Sequence, residues 1–267
     1  MVNAALSSIS EKNAERFKYL RVVFLLVKRD LKVKYRGSFL GYMWSMLNPL
    51  LFMLIISFVF SKFMKDIPNY SLYVLSGILF WNMANLALIG GTHSIAANAH
   101  LIRKIKLPIW VFPCVPLGTA FMNFVLSLAP FCAVMLWTGH IPNWKIVFLP
   151  ALLGLYAIFL LGVSLTLATL NVFFRDVGHV LEPLLQITFY ATPIIYDRSH
   201  SSLPAEFKNI LSLNPFTHFI EAARAILLGT LEQPIVVAGQ LIFFAGLSLS
   251  IGTYCFKKAK SKFIFNL

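Results

Sequence analysis

The sequence predicts an all-α integral membrane protein: six transmembrane helices, an N-terminal amphipathic helix lying in the membrane interface, and two short helices on the far side that re-enter the bilayer. Three observations carry that expectation. The chain is 58% hydrophobic and 12% charged, more apolar surface than a core of this length can bury, so lipid must be its main solvent. In NVFFRDVGHVLEPLLQITFYATPIIY, Asn171 to Tyr196, the adjacent charges Arg175 and Asp176 stand between two apolar blocks. Charge is costly at bilayer depth, so this corner must reach water and the run reads as a membrane hairpin. Finally, when the apolar runs are threaded alternately, seventeen of the 23 Lys and Arg fall on one side and six on the other. That asymmetry places both termini in the cytoplasm and accounts for the net charge of +13 without a nucleic-acid partner.

From Glu11 to Tyr35, Phe17, Leu20, Phe24, Val27 and Leu31 recur at steps of three and four, with Arg16, Lys18, Arg21, Lys28, Arg29 and Lys32 on other faces. That is an amphipathic helix, too charged to span, which either only anchors the chain at the headgroups or also faces a soluble partner. Arg36, Gly37 and Gly41 lead into the first span, Leu40 to Ser61, which at 1.5 Å per residue reaches about 33 Å. Trp44 sits at its interfacial end, and Asn48 and Pro49 predict a kink. Gly37 and Gly41 read as a packing or bending site rather than a dimer seam.

The second span, Asn69 to Gly90, carries Asn82 and Asn85 as its strongly polar side chains, available to a neighbouring helix. Gly91 to Pro108 reads as a loop with a short helix closed by the proline, its basic edge formed by Arg103, Lys104 and Lys106. The third span lies within Trp110 to Trp137, loosened by Pro113, Pro116 and Pro130. The fourth runs from Ile146 to Asn171 and the fifth from Val177 to Tyr196. Near the end of the fifth, Thr192 and Pro193 free a backbone carbonyl that lipid cannot satisfy, so protein or water must cover it. The sixth is Ile235 to Phe256, followed by Lys257, Lys258, Lys260 and Lys262. The chain thus divides into residues 1–36 with the interface helix, a transmembrane domain over 37–258, and a basic tail over 259–267.

Between the fifth and sixth spans, within 203–230, are two apolar patches too short to cross. One covers Phe207 to Leu213; the other opens on Asn214 and Pro215 and closes at Gly229, a cap, a first-turn proline and a C-terminal glycine. Phe216, Phe219, Ile220, Ala223, Ile226 and Leu227 need burial, which predicts a dip into the outer leaflet; a pair lying flat on the surface is the alternative. Glu221 and Arg224, three apart, are placed to pair at the water boundary.

The spans hold almost no acids, bases or metal ligands, which speaks against a membrane enzyme and against an ion-coupled carrier. His179 and Glu182 share a helical face but fall short of a ligand set and read as polar contacts near the Arg175 corner. Cys114, Cys132 and Cys255 have neither disulfide nor metal spacing. No catalytic, metal or cofactor site is expected on this chain. The first residues, MVNAALSSISEKNAERF, contain no cleavable signal pattern, and no G-x-x-x-x-G-K-[ST] occurs, so any ATP must be bound by another chain.

An interfacial helix, RDLKVKYRGSFLGYMWSMLNPL, NAHLIRKIKLP, the Asn171 to Tyr196 hairpin and NPFTHFIEAARAILLGT, in that order, together resemble the ABC-2 type exporter permeases, and within them the O-antigen, capsular polysaccharide and teichoic acid branch. The resemblance extends from Phe17 to Lys258. It implies a homodimer of six-span subunits in the inner membrane, with two copies of a separate ATPase that holds ATP and Mg, moving a lipid-linked glycan to the periplasm through a central channel. On this chain, Phe24 and Arg29 of the interface helix and Ala97, His100, Leu101, Ile102 and Arg103 of the short helix match the ATPase-contacting elements. Phe216, Phe219, Ile220 and Ala223 match the periplasmic re-entrant cap. His179 and Glu182 match no signature. A hydrated glycan is best passed by neutral polar and aromatic walls, and among 25 Phe, 9 Tyr and 5 Trp the channel-lining candidates are Trp44, Phe52, Phe189, Tyr190 and Tyr196. An exporter of another substrate, such as a lipid or drug, would share the fold, but the entrance RDLKVKYRGSFLGYMW favours the glycan branch. An enzyme acting on lipid-linked sugars would have only Asp176 and Glu182 as acids.

Overall fold

The helix Tyr70–Ala97 is the post against which the others stand in the computed structural model of the chain. The structure describes residues 2–65, 67–104, 107–140, 143–198, 204–231 and 233–263, with the backbone alone over 2–16 and at 205. Lys106, Leu203 and the side chains of Lys12 and Arg16 lie outside the described residues. In chain order the α-helices are α1 Val2–Lys34, α2 Met43–Phe60, α3 Tyr70–Ala97, α4 Ala99–Lys104, α5 Val111–Trp137, α6 Leu149–Phe173, α7 Asp176–Tyr190, α8 Ala205–Leu213, α9 Pro215–Leu227 and α10 Pro234–Ala259. Among the described residues there is no strand, and five helices (α2, α3, α5, α6 and α10) are long and apolar enough to cross a membrane.

Residues of α3 from Leu72 to Leu88 form the largest contribution of any helix to the core, packed by α5 and α6 on its flanks and by α2, α7 and α9. The helix runs seven residues past its predicted end at Gly90. Its polar continuation stays helical because Thr92 donates to the carbonyl of Leu88 and Ser94 to that of Gly91. Gly91, Thr92, Ser94 and Ile95 of this stretch are buried, and Gly91 leaves room for Ser164 of α6. Ala97 therefore ends α3 rather than opening the short helix, which is only Ala99–Lys104.

Small residues also set the α6–α10 contact: a Cβ on Gly252 would run into the carbonyl of Gly162, and Ser248 donates to the carbonyl of Phe159 at 2.8 Å. Close backbone approach of this kind is what holds helices together where lipid removes the hydrophobic drive. In α2, Pro49 leaves the carbonyl of Ser45 without its helical donor, and the Ser127 hydroxyl of α5 supplies one at 2.8 Å.

The expected fifth span differs. Its helix, α7, ends at Tyr190 after 15 residues, about 22 Å of rise against a hydrocarbon core of roughly 30 Å. Pro193 cannot extend it, and residues 191–196 run on as turns and bends. The interface helix also differs in facing. Val27 and Leu31 pack on Val115 of α5, with Val23 and Leu26 beside them, whereas Phe17, Leu20 and Phe24 of the predicted stripe are exposed. The helix seats by a flank on α5, where Gly118 makes room for Val27, and its predicted apolar face is divided between protein and surroundings.

The two apolar patches separate as well. Among the described side chains of α8 only Leu211 is buried, with Ile210 and Leu213 exposed, while α9 belongs to the core and touches α3, α6 and α10. Its ends follow local chemistry. Asn214 accepts from the amide of Phe216 at 3.0 Å, Pro215 begins the helix, and Gly229 turns out of it at φ 76°. Lys145 then donates to the carbonyls of Gly229 and Leu231, both at 2.9 Å, tying that end to the start of α6.

Candidate functional site

Where α7 stops, seven consecutive carbonyls need donors, and each finds one. Tyr190 is reached by the Tyr196 hydroxyl (2.9 Å), Ala191 by Asn214 (2.9 Å), and Thr192 by the amide of Ile194 (2.7 Å). Arg224 donates to Pro193 and Ile194 at 3.0 and 3.2 Å. The hydroxyls of Tyr70 and Tyr73 donate to Ile195 and Tyr196 at 2.8 and 2.9 Å. An unsatisfied carbonyl away from water costs about 1–3 kcal/mol, so the broken backbone is held only as long as α3 and α9 stay beside it.

Arg224 is the centre of this arrangement. It is only 6% exposed, its guanidinium lies 3.4 Å from the centroid of the Tyr73 ring, and Gly77 leaves the space it occupies. The expected Glu221–Arg224 pair at the water boundary does not form: Glu221 pairs with Arg198 at 3.2 Å, and Arg224 turns inward to the carbonyls. Burial raises the Glu221 carboxyl above its ordinary value, against the opposing pull of Arg198 and Arg224. A signal for Arg224 was present in the sequence. It lies four residues after Ile220 and eight after Phe216, on the apolar face of α9, and the Thr192–Pro193 break demanded a donor.

The cap candidates Phe219, Ile220 and Ala223 are fully buried, and Phe216 packs between Trp81 (5.6 Å) and Phe159 (5.2 Å). Three channel candidates share one aromatic surface between α2 and α7: Phe189 lies 6.2 Å from Phe52, 5.3 Å from Tyr190 and 5.6 Å from Trp81. Tyr196 adjoins its end through Tyr190. Trp44 stands apart, in a cavity between α2, α3 and α5.

At the other end of the bundle, Arg29 and Ala97 line a cavity of about 280 Å³ between α1 and the ends of α3 and α5, and Arg29 pairs with its neighbour Asp30 at 2.8 Å. His100 and Arg103 are exposed on α4 while Leu101 and Ile102 are half-buried, Ile102 against a cluster containing Ile109 and Phe256. Phe24 is 63% exposed on α1 and does not line the cavity. The hairpin corner is held by Asn171, which donates to the carbonyl of Thr92 at 3.1 Å and accepts from the amide of Gly178 at 3.2 Å. Gly178 there meets His93 so closely that no side chain fits. His179 and Glu182 face outward from α7, and among the described residues no three His, Cys, Asp or Glu converge on a metal site. Arg175 and Asp176 are exposed.

Comparison with known proteins follows these features along nearly the whole chain. The profile of the ABC-2 type transporter family matches residues 21–228. The chain is 34% identical over 213 residues to the O-antigen export system permease protein RfbA of Myxococcus xanthus, covering 79% of this chain and 82% of that one. It is 31% identical over 246 residues to the protein of the same name in Klebsiella pneumoniae, covering 91% and 93%. To the capsule polysaccharide export inner-membrane protein CtrC of Neisseria meningitidis it is 25% identical over 245 residues, covering 86% and 89%.

Proposed function

The chain belongs to the ABC-2 type transporter family, and from that premise we propose that it is the membrane-spanning permease subunit of an ATP-driven exporter of a lipid-linked polysaccharide, of O-antigen or capsule type, in the inner membrane. The observation that carries this reading is the end-to-end similarity to O-antigen export permeases. It is supported by a sequence with no P-loop and almost no ionisable groups in its spans. ATP and Mg belong to a separate ATPase, present in two copies beneath a homodimer of this chain.

Six crossings with both termini cytoplasmic fit the charge asymmetry, α7 with its non-helical continuation to Tyr196 making the fifth. In this arrangement Arg29 of α1, with Ala97, His100 and Arg103 at the end of α3 and on α4, faces the ATPase. The aromatic surface of Phe52, Phe189 and Tyr190 borders the glycan path, and α9 closes its periplasmic end. The test is deletion of the gene in the producing cell. Lipid-linked polymer should then accumulate inside while surface polymer disappears, and surface polymer at the parental level would refute the reading.

A further inference from the structure

The cavity lined by Trp44 has a volume of about 240 Å³, and uncharged polar groups are set among its apolar walls, with Lys34 at one side. Asn82 and Asn85 stand three apart on α3, hence on one face, with Asn48 and Ser45 of α2 beside the same space. An amide inside a membrane bundle ordinarily bonds a neighbouring helix. The adjacent Asn123 does so, accepting from the Tyr35 hydroxyl at 2.7 Å and donating to the carbonyl of Thr119 in its own helix at 2.8 Å. The side chains of Asn48, Asn82 and Asn85 make no hydrogen bond among the described residues. Three amides are thus held at one cavity with their donors and acceptors uncommitted.

We propose that this cavity binds a neutral sugar ring of the transported glycan. Each amide presents two donors and an acceptor, the pattern that neighbouring ring hydroxyls match, and each can exchange a bound water for a hydroxyl. Trp44 supplies a flat apolar face of the kind that stacks on the C–H side of a pyranose. The volume falls below the roughly 300–1,000 Å³ of drug-sized ligand sites, which suits a single ring held transiently rather than a stored chain. Access runs from α1, because Lys34, Leu86 and Asn123 line both this cavity and the one that contains Arg29. The inference rests on the exporter reading and adds to it a sugar-contacting site away from the Phe52–Phe189 surface.

The test places p-benzoylphenylalanine at Asn85, and in parallel at Phe189, in the full chain expressed with its ATPase in the cell that makes the polymer. Irradiation at position 85 should give adducts that carry the glycan, stained by a polymer-specific lectin, and none in cells that make the lipid carrier without sugar. Adducts at 85 that persist without sugar would identify a lipid site and overturn the proposal. Glycan adducts at 189 but not at 85 would also overturn it while leaving the exporter reading intact; surface polymer that survives deletion of the gene would instead sink that reading. As a second measurement, Asn82→Leu with Asn85→Leu removes two hydrogen-bonding groups and should slow export about tenfold at an unchanged thermal midpoint. Parental export from a folded double variant would overturn the site.

Discussion

Arg224 donates to the carbonyl of Pro193 across 3.0 Å, joining the last turn of α9 to a backbone break 31 residues earlier in the chain. The proline creates the need and the arginine meets it. Neither residue makes physical sense in an apolar surrounding without the other.

Replacement of Arg224 by Met keeps much of its length but leaves the carbonyls of Pro193 and Ile194 without donors. At about 1–3 kcal/mol for each unsatisfied group, the variant should lose about 2–6 kcal/mol. Arg224→Lys should fall between, since a single ammonium does not reproduce a planar fork. Thermal unfolding in detergent measures this, and a Met variant with the parental midpoint would contradict the assignment.

Glu221 gives a pH dependence of known sign. Burial raises its carboxyl above 4.5, so the folded chain holds that proton more tightly than the unfolded one. The associated stability is full below the unfolded value and is lost as pH rises through the folded value. The midpoint of Glu221→Gln should therefore gain on the parent as pH is raised above 4.5. The Arg198 pair that the variant loses is about one-third exposed and worth little. Parallel curves would show that Glu221 does not titrate differently on folding.

Coupling to the ATPase is best probed where the side chain is free of the bundle. Ile102 packs on the cluster that contains Phe256 and Ile109, so a charge there would disturb folding as well. His100 and Arg103 are exposed, and exposed substitutions stay within about 0.5 kcal/mol. Arg103→Glu should lower export and ATPase co-purification at an unchanged midpoint. Full activity in Arg103→Glu and His100→Asp alike would remove α4 from the coupling surface.

Orientation can be read by thiol labelling of intact cells in a background without Cys114, Cys132 and Cys255. Cysteines at Lys65 and Lys208 should react with an impermeant reagent, and one at Lys104 should not. Lys145 is a poor choice, because its ammonium holds the end of α9. Reaction at Lys104 would invert the topology.

Gly162→Leu places a side chain where Ser248 and its backbone already lie. Overpacking of this kind costs about 1–3 kcal/mol, so the α6–α10 contact should loosen and the midpoint fall. Gly154→Leu on the same helix meets open space and should be neutral; equal effects would argue against a close crossing.

The ends of α2, α5, α6 and α10 were legible to within three residues because long apolar runs leave little choice of where lipid begins. Those of α9 were legible because Asn214, Pro215 and Gly229 act locally. What the sequence hid depends on neighbours. Gly91 to Ala97 looks like a loop until Ser164 is seen to need the space, and Ser127 looks idle until Pro49 frees the carbonyl of Ser45. Phe17, Leu20 and Phe24 keep helical period with Val27 and Leu31, but periodicity does not reveal that α5 takes only the later pair. The candidate sites followed the same rule. Trp44 was grouped with Phe52 and Phe189 by residue type, and only the helix arrangement assigns it to the amide cavity.

The seven carbonyls from Tyr190 to Tyr196 are held mainly by hydroxyl, amide and guanidinium groups of α3 and the α9 region. The instructions for that bend are thus written mostly outside it. In chimeras between related permeases, exchange of residues 191–195 alone should be tolerated wherever Thr192, Pro193 and Ile194 are kept, since the Thr192 hydroxyl accepts from Asn214 at 2.9 Å and Ile194 is fully buried. Exchange of α9 together with α3 should carry the bend intact, since Arg224, Tyr70 and Tyr73 hold four of its seven carbonyls. Inheritance of this bend should accordingly follow distant partners jointly, and a segment that looks variable on its own would be among the most constrained in shape.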